Sequence, residues 1–321
     1  MMPQAVEVIA PSRLHFGLLS VHRSHQQRYG GVGAMVAVPG IRLVVRWGKG
    51  LGACGPLAAR AKRVARRVGS ALLGSIPEVS IRIQSAPPEH VGLGTGTQLS
   101  MAVAAGLAAL VGQTPLDTAE LARWAGRGHR SVVGVHGFAQ GGLIWDPGTA
   151  RAGECGQSVR RVPLPAAWRF VLVRPRGMRG LWGQRERRAF ATLPELPETH
   201  LATLRREAAE VLWPAANCGD FGAFSESLYR YGYLAGMSFA QAQGGPFADP
   251  RLETLVAKIR ALGVVGTGQS SWGPTVFALL PDEASAGQFV HRLRALPDTE
   301  DLHICISPPD NHGACVRIIE P

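Results

Sequence analysis

The sequence predicts an α+β protein of two domains. Strand-like and helix-like segments mix along the chain without the regular alternation of a doubly wound sheet. A stretch rich in Gly, Arg and Pro, 147–165, separates a strand-led first half from a helix-rich second half. The boundary is placed inside it, giving domains 1–155 and 156–321. A chain of 321 residues, 46% hydrophobic and 18% charged, is long and apolar enough for two cores.

Alternating apolar residues in Ala5–Ala10 predict a first strand, and His15–Leu19 a second. Ile41–Trp47 and Val79–Ile83 predict two more, with a basic helix over 57–73 between them. A glycine-rich loop leads into a helix over 98–111. Thr114-Pro115-Leu116-Asp117 reads as the next helix start, with Thr114 as N-cap and Pro115 in the first turn. That helix runs to about Arg127. The glycine-rich segment 134–142 reads as a loop before the strand Leu143-Ile144-Trp145. In the second half, 169–173 is a strand and 186–193, 200–212, 221–239 and 250–262 are helices. The pattern ends strand, helix, strand, strand over 275–280, 283–295, 302–306 and 314–319.

Composition excludes several classes. The longest apolar stretch, Met101–Val111, is too short to span a bilayer, and residues 1–10 lack the basic and apolar regions of a signal peptide. A cytoplasmic protein with no membrane partner is expected. The five cysteines are scattered with neither C-x-x-C pairs nor zinc-site histidines, so reduced thiols and no structural metal are expected. The net charge of +11 suits anionic ligands. The cluster Arg60, Lys62, Arg63, Arg66 and Arg67 has helical spacing and no interleaved aromatics, so it reads as a solvated helix face. Nucleic acid is therefore not expected as a partner.

Three Gly/Ser/Thr-rich segments carry the chemistry. The first, Pro11–Gly17, follows the first strand. The second is Glu89–Ser100, with Gly92, Gly94, Thr95, Gly96, Thr97 and Gln98 directly at a helix start. Unpaired N–H groups and the positive end of a helix dipole hold anions there, and glycines let a phosphate approach. The third is Gly266–Thr275, with Gly268, Gln269, Ser270 and Ser271 leading into a strand. Arg13 and His15, two apart on a strand, share one face. His90 precedes the phosphate loop, and Arg127 and Ser131 follow the third helix. Two further basic groups stand out: His22, Arg23, His25 and Arg28, and Arg174, Arg176, Arg179 and Arg185 around Gly177, Gly180 and Gly183.

Three such loops in this order resemble the GHMP superfamily, named for galactokinase, homoserine kinase, mevalonate kinase and phosphomevalonate kinase. The resemblance covers nearly the whole chain. It implies an N-terminal α+β domain with the phosphate loop and a C-terminal ferredoxin-like α+β domain. GHMP kinases carry an acid, usually in a Ser-Gly-Ile-Asp stretch seven residues before a Gly-Gly pair. Here Gly141-Gly142 anchors the pattern, the stretch is Ser131-Val132-Val133-Gly134, and glycine stands where the acid would be. Glycine accepts no proton, and 123–145 holds no Asp or Glu, which argues against kinase chemistry.

One branch, the β-ribofuranosylaminobenzene 5′-phosphate synthase family of methanopterin biosynthesis, resembles this chain in detail. The shared features are Arg13-Leu14-His15-Phe16-Gly17, Gly92–Leu99 with its Gly-Thr-Gln ending, Arg127-Gly128 ahead of Ser131, and Gln269–Thr275. That resemblance implies condensation of 5-phosphoribosyl 1-diphosphate with 4-aminobenzoate or 4-hydroxybenzoate, with loss of CO2 and diphosphate. It implies catalytic roles for Arg13, His15 and His90. It further implies donor binding by Gly92, Gly94, Thr95, Gly96, Thr97, Gln98, Arg127 and Ser131, and a substrate loop at Gly268, Gln269, Ser270 and Ser271. Mg²⁺ is expected with the diphosphate donor, without an assigned protein ligand, and a homodimer is expected. An ATP-dependent small-molecule kinase is the alternative, and a nucleic-acid-binding module a more distant one.

Overall fold

The computed structural model describes residues 3–19, 29–129, 131–148, 159–181, 183–191, 193 and 196–319. The first half contains β1 (Ala5–Leu18), β2 (Gly31–Trp47), β3 (Gly52–Cys54), α1 (Ala58–Leu73), β4 (Val79–Ser85), α2 (Thr95–Leu110), α3 (Thr118–Ala125), α4 (Val133–Gln140), β5 (Leu143–Asp146) and β6 (Arg160–Val162). The two strands expected over 5–10 and 15–19 are one strand. β1 stays paired with β2 along its length and absorbs Pro11 at a bulge between Ala10 and Ser12. So the first Gly/Ser-rich segment is a strand, and a second bulge between His15 and Gly17 re-aims it at the site.

The helix expected from Thr114 begins at Thr118 instead. Asp117 is its N-cap and accepts from the Glu120 amide at 2.7 Å. The glycine-rich segment 134–142 is largely helix α4. A Cβ at Gly137 would stand 2.2 Å from Met35 Sδ, so this glycine answers to close packing against β2.

The second half contains β7 (Arg169–Pro175), α5 (Gly183–Ala191), α6 (Glu198–Arg206), a π-helical stretch (Glu207–Leu212), α7 (Trp213–Cys218), α8 (Phe221–Met237), α9 (Ala240–Gln243), α10 (Pro250–Ala261), β8 (Thr267–Gln269), β9 (Val276–Leu280), α11 (Glu283–Arg294), β10 (Leu302–Ser307) and β11 (Cys315–Ile319). Its four-stranded antiparallel sheet has the order β10-β7-β9-β8. With helices between β7 and β8 and α11 between β9 and β10, this is the ferredoxin-like topology.

The other sheet runs β11-β1-β2-β4-β3, with β5 on the early part of β2 and β6 beyond it. The sheets do not divide at residue 155: β6 pairs with β5, and β11 returns to pair with β1. One core lies between this sheet and α1–α3, where α2 is apolar almost all round; Val8, Leu43, Val45 and Ile81 meet Leu99, Val103 and Leu107. A second core joins the two sheets and α8 through Phe16, Phe170, Phe224, Tyr231 and Phe277. No helix among the described residues is long and apolar enough to cross a membrane. The described cysteines, Cys54, Cys218, Cys305 and Cys315, are free thiols.

Candidate active site

A cavity of about 530 Å³ opens where β1, the tip of α2, the segment after α3, and α8 converge. Its wall includes Arg13, His15, His90, Gly92, Gly94, Thr95, Gly96, Thr97, Arg127, Ser131, Gln269 and Ser271. Gln98, Gly268 and Ser270 stand behind the wall. Gln98 is fully buried, and its amide donates to the Gly134 carbonyl at 2.8 Å. Gly268 packs on Phe277, and a Cβ there would stand 2.9 Å from the ring. Ser270 Oγ donates to the Gly92 carbonyl at 2.6 Å and accepts from the His15 amide at 3.0 Å. It is thus a clasp between β1 and the phosphate loop.

The loop and the helix start are built for close approach. Gly92 and Gly94 have φ of 90° and 65°, the left-handed region that favours glycine. Gly94 caps α2 without any side-chain hydrogen bond, and the first turn carries no acid. By contrast, α3, α8, α10 and α11 each close their N-termini with an Asp: Asp117, Asp220, Asp249 and Asp282. The Thr95 hydroxyl donates to the Pro88 carbonyl at 3.0 Å and braces the loop. Thr97 lines the cavity.

The polar end of the cavity is strongly cationic. Arg13 reaches from β1 past Gly94, with its amide on the Leu93 carbonyl at 3.1 Å. Arg127 Nη2 donates to Ser100 Oγ at 2.9 Å, and that hydroxyl donates to the Gly96 carbonyl at 2.8 Å. Burial, then the charges of Arg60 and Arg67, push the Arg127 pKa down to about 10, with Glu89 partly opposing. Arg60 belongs to the basic helix expected to be a solvated face, yet it lines the cavity and pairs with Glu89. Arg67 turns to the last carbonyls of α3, with Nε 3.3 Å from that of Trp124. Arg63 and Arg66 are exposed. Neither Arg60 nor Glu89 stands out as a site residue in the sequence, because helical spacing alone does not say which side of α1 faces the loop.

His15 is buried, with Nε2 3.1 Å from Ser131 Oγ. Burial, then the neighbouring Arg13 charge, hold its pKa well below the ordinary range, so the ring is neutral near pH 7. Gly134 lies beside this corner. A Cβ there would stand 3.4 Å from Arg13 Cδ and 3.3 Å from Thr97 Cγ2, so an acid at this position would enter the site.

The far end is apolar. Leu181, Phe239, Phe247 and Trp272 line it, with Phe239 and Trp272 edge to face at 5.0 Å between centroids. Gly232 and Gly236 of α8 also line it, and a Cβ at Gly236 would stand 2.0 Å from the Pro246 carbonyl oxygen. Of these, Trp272 belongs to the third loop singled out in the sequence, whereas Leu181, Phe239 and Phe247 are scattered over separate segments and do not stand out there. Of the two other basic groups, His22, Arg23, His25 and Arg28 lie outside the described residues, as does the side chain of Arg185. Arg174 and Arg176 are off the cavity wall and instead depress the pKa of His303, after its burial. Gly180 of that loop does touch the site, donating to the His90 carbonyl at 2.7 Å.

Residues 58–142 match the N-terminal domain of GHMP kinases, and residues 214–298 match the GHMP kinase C-terminal domain. A β-ribofuranosylphenol 5′-phosphate synthase of Methanothermobacter thermautotrophicus is 28% identical over 295 residues, covering 85% of this chain and 88% of that one. One of Archaeoglobus fulgidus is 28% identical over 297 residues, covering 88% and 90%. Among solved structures, mevalonate diphosphate decarboxylase from Enterococcus faecalis superposes with a TM-score of 0.68 at 14% identity, covering 98% of this chain and 99% of that one. Homoserine kinase from Cytophaga hutchinsonii gives 0.66 at 18% identity, covering 99% and 98%. At these identities the structural likeness is one of fold.

Proposed function

The chain belongs to the GHMP kinase superfamily and is an enzyme of the pentosyltransferase-like class of its synthase relatives; from that premise we propose that it is an aryl C-ribosyltransferase. The donor is 5-phosphoribosyl 1-diphosphate and the acceptor a 4-substituted benzoate. The names of the relatives, which describe a ribofuranosylphenol product, favour 4-hydroxybenzoate over 4-aminobenzoate. The proposal extends to a step of tetrahydromethanopterin biosynthesis and to a homodimer.

The observation that carries this reading is the charge inventory of the cavity. Arg13, Arg60 and Arg127 line it against one described acid, Glu89, which pairs with Arg60. Glycine 134 stands where a kinase would place its acid, beside Arg13. Such a wall suits a polyanionic donor and offers no carboxylate to orient a hydroxyl.

The chemistry divides between the two ends. At the cationic end the C1–O bond of the donor breaks, and the diphosphate leaves with the electron pair. Guanidinium groups and the α2 amides stabilise that developing charge. At the apolar end the aromatic walls hold the benzoate ring so that its carboxylate-bearing carbon faces C1. A new carbon–carbon bond forms there. The carboxylate then departs as CO2, and the electron pair of its bond restores the aromatic ring. Neutral His15, hydrogen-bonded to Ser131, adds no positive charge beside the oxocarbenium-like centre.

Magnesium is proposed to accompany the donor. No three metal-ligating side chains cluster among the described residues. Glu89 is the described carboxylate on the wall that could help hold such an ion, which would supply positive charge to the leaving diphosphate.

The test is release of labelled CO2 and of diphosphate from carboxyl-labelled 4-hydroxybenzoate and 5-phosphoribosyl 1-diphosphate. Both products are expected in equal amounts. Release of neither, from folded protein with either benzoate, overturns the proposal; ATP consumption with an alcohol acceptor would instead favour a kinase.

A further inference from the structure

The positive charge at the cationic end comes from separate segments, and its distribution is specific. Arg60 comes from α1, and its guanidinium lies across the first turn of α2. A Cβ at Gly96 would stand 2.5 Å from Arg60 Nη2, so the guanidinium lies directly over this glycine. A cation at the positive end of a helix dipole is unfavourable unless an anion joins it. Arg127 comes from the segment after α3 and is held in one orientation by Ser100. Its Nε is buried without a hydrogen-bond partner. Burial first, then the Arg60 and Arg67 charges, depress the Arg127 pKa. Arg13, Arg60 and Arg127 line the cavity from three separate segments, against one described carboxylate, Glu89. That spread suits an anion with more than one phosphate group. Arg13 lies on the β1 side of the same turn, where a Gly94 Cβ would stand 3.3 Å from its Nε, and His15 and Ser131 face each other at 3.1 Å.

We infer that Arg60 and Arg127, with the first turn of α2, form the seat of the leaving diphosphate, and that Arg60 makes this seat selective for a diphosphate over a monophosphate. The inference rests on the proposed reaction for the word leaving, but the seat itself is defined by the charge geometry. Glu89 holds Arg60 across Gly96 in the free enzyme and shares it with the anion on binding. Arg13, on the β1 side of that turn, is left for the remainder of the donor.

The experiment is calorimetric titration of the full chain with inorganic diphosphate and, separately, with inorganic phosphate. The variants are Arg60→Gln, the charge-balanced double variant Arg60→Gln with Glu89→Gln, and Arg63→Gln on the exposed side of the same helix. Wild type and Arg63→Gln are expected to bind diphosphate alike and more tightly than phosphate. Both Arg60 variants are expected to lose at least tenfold in diphosphate affinity while phosphate affinity changes less than threefold. A folded double variant that binds diphosphate like wild type, or that loses diphosphate and phosphate equally, overturns the inference. The two readings fail separately. Arg60-dependent diphosphate binding without any CO2 release from wild type removes the ribosyl transfer and leaves the seat. Normal CO2 release with Arg60-independent diphosphate binding removes the seat and leaves the transfer.

Discussion

Gly134→Asp restores the acid that the kinases of this superfamily carry, and the structure says what it would do here. Gly134 is the second residue of α4 and has no left-handed φ, so a side chain is conformationally admissible. Its Cβ would meet Thr97 Cγ2 at 3.3 Å, Arg13 Cδ at 3.4 Å and Gln98 Nε2 at 3.6 Å, contacts that a shift of a few tenths of an ångström relieves. The carboxylate would then sit within reach of the Arg13 guanidinium. At roughly 4 Å and an effective dielectric of about 20, the pair attracts by about 4 kcal/mol before desolvation. A net gain of about 1.5–3 kcal/mol is typical of hydrogen bonds to charged groups. A donor phosphate that uses Arg13 must displace this carboxylate or bind beside it. Affinity for 5-phosphoribosyl 1-diphosphate should therefore fall by roughly 10- to 100-fold, at about 1.4 kcal/mol per tenfold. Folding should not suffer, because a carboxylate in the first turn of a helix stabilises it by about 0.3–1 kcal/mol. The assay is calorimetric donor affinity together with thermal melting, with Gly134→Asn as the uncharged isostere. Unchanged donor affinity in Gly134→Asp refutes the argument, as does an equal loss in Gly134→Asn, which would point to bulk.

Two further outcomes follow from the same geometry. His15 has a depressed pKa when folded, so the unfolded chain binds the extra proton below about pH 6.5 and stability must fall as pH falls through that value. Melting curves from pH 7.5 to 5 should show a steeper loss for wild type than for His15→Gln, by at most about 1.4 kcal/mol per pH unit; parallel curves would refute a buried neutral ring. Gly273→Ala should damage both binding and folding, because its Cβ would stand 2.1 Å from the Gly92 amide nitrogen, where the third loop meets the phosphate loop. A loss of about 1–3 kcal/mol is expected from such overpacking; a denaturant midpoint equal to wild type would refute the tight contact.

The glycines are the most legible part of the sequence, and also the part most easily misread. Gly92 and Gly94 announce a phosphate-type loop because their chemistry is local: positive φ and a helix start. Gly137 looks identical in sequence, yet it sits in a helix because Met35 lies against it. That reason is tertiary and leaves no local pattern. The same holds for Arg60. Its helix is evident, but its partner Glu89 and its place over Gly96 depend on how α1 docks on α2. Pro11 makes β1 read as two strands, since only pairing with β2 reveals the bulge that accommodates it. Ser270 belongs to the right loop but has another job: its hydroxyl faces Gly92 and the His15 amide, groups more than 170 residues distant in the chain. The aromatic wall of Phe239, Phe247 and Trp272 has no contiguous signature at all.

The return of β11 to β1 has a consequence for how the molecule is made. β1 presents Arg13 and His15, and its register with β11 pairs Ala5 with Ile319 and Ile9 with Cys315. A nascent chain emerging from the ribosome has the phosphate loop and both bulges of β1 long before the strand that flanks β1 is synthesised. Until then one edge of β1 is open to mispairing, and the first sheet waits on the last strand. The domain that owns the candidate site therefore cannot close vectorially, ahead of its partner, as a self-contained N-terminal unit would.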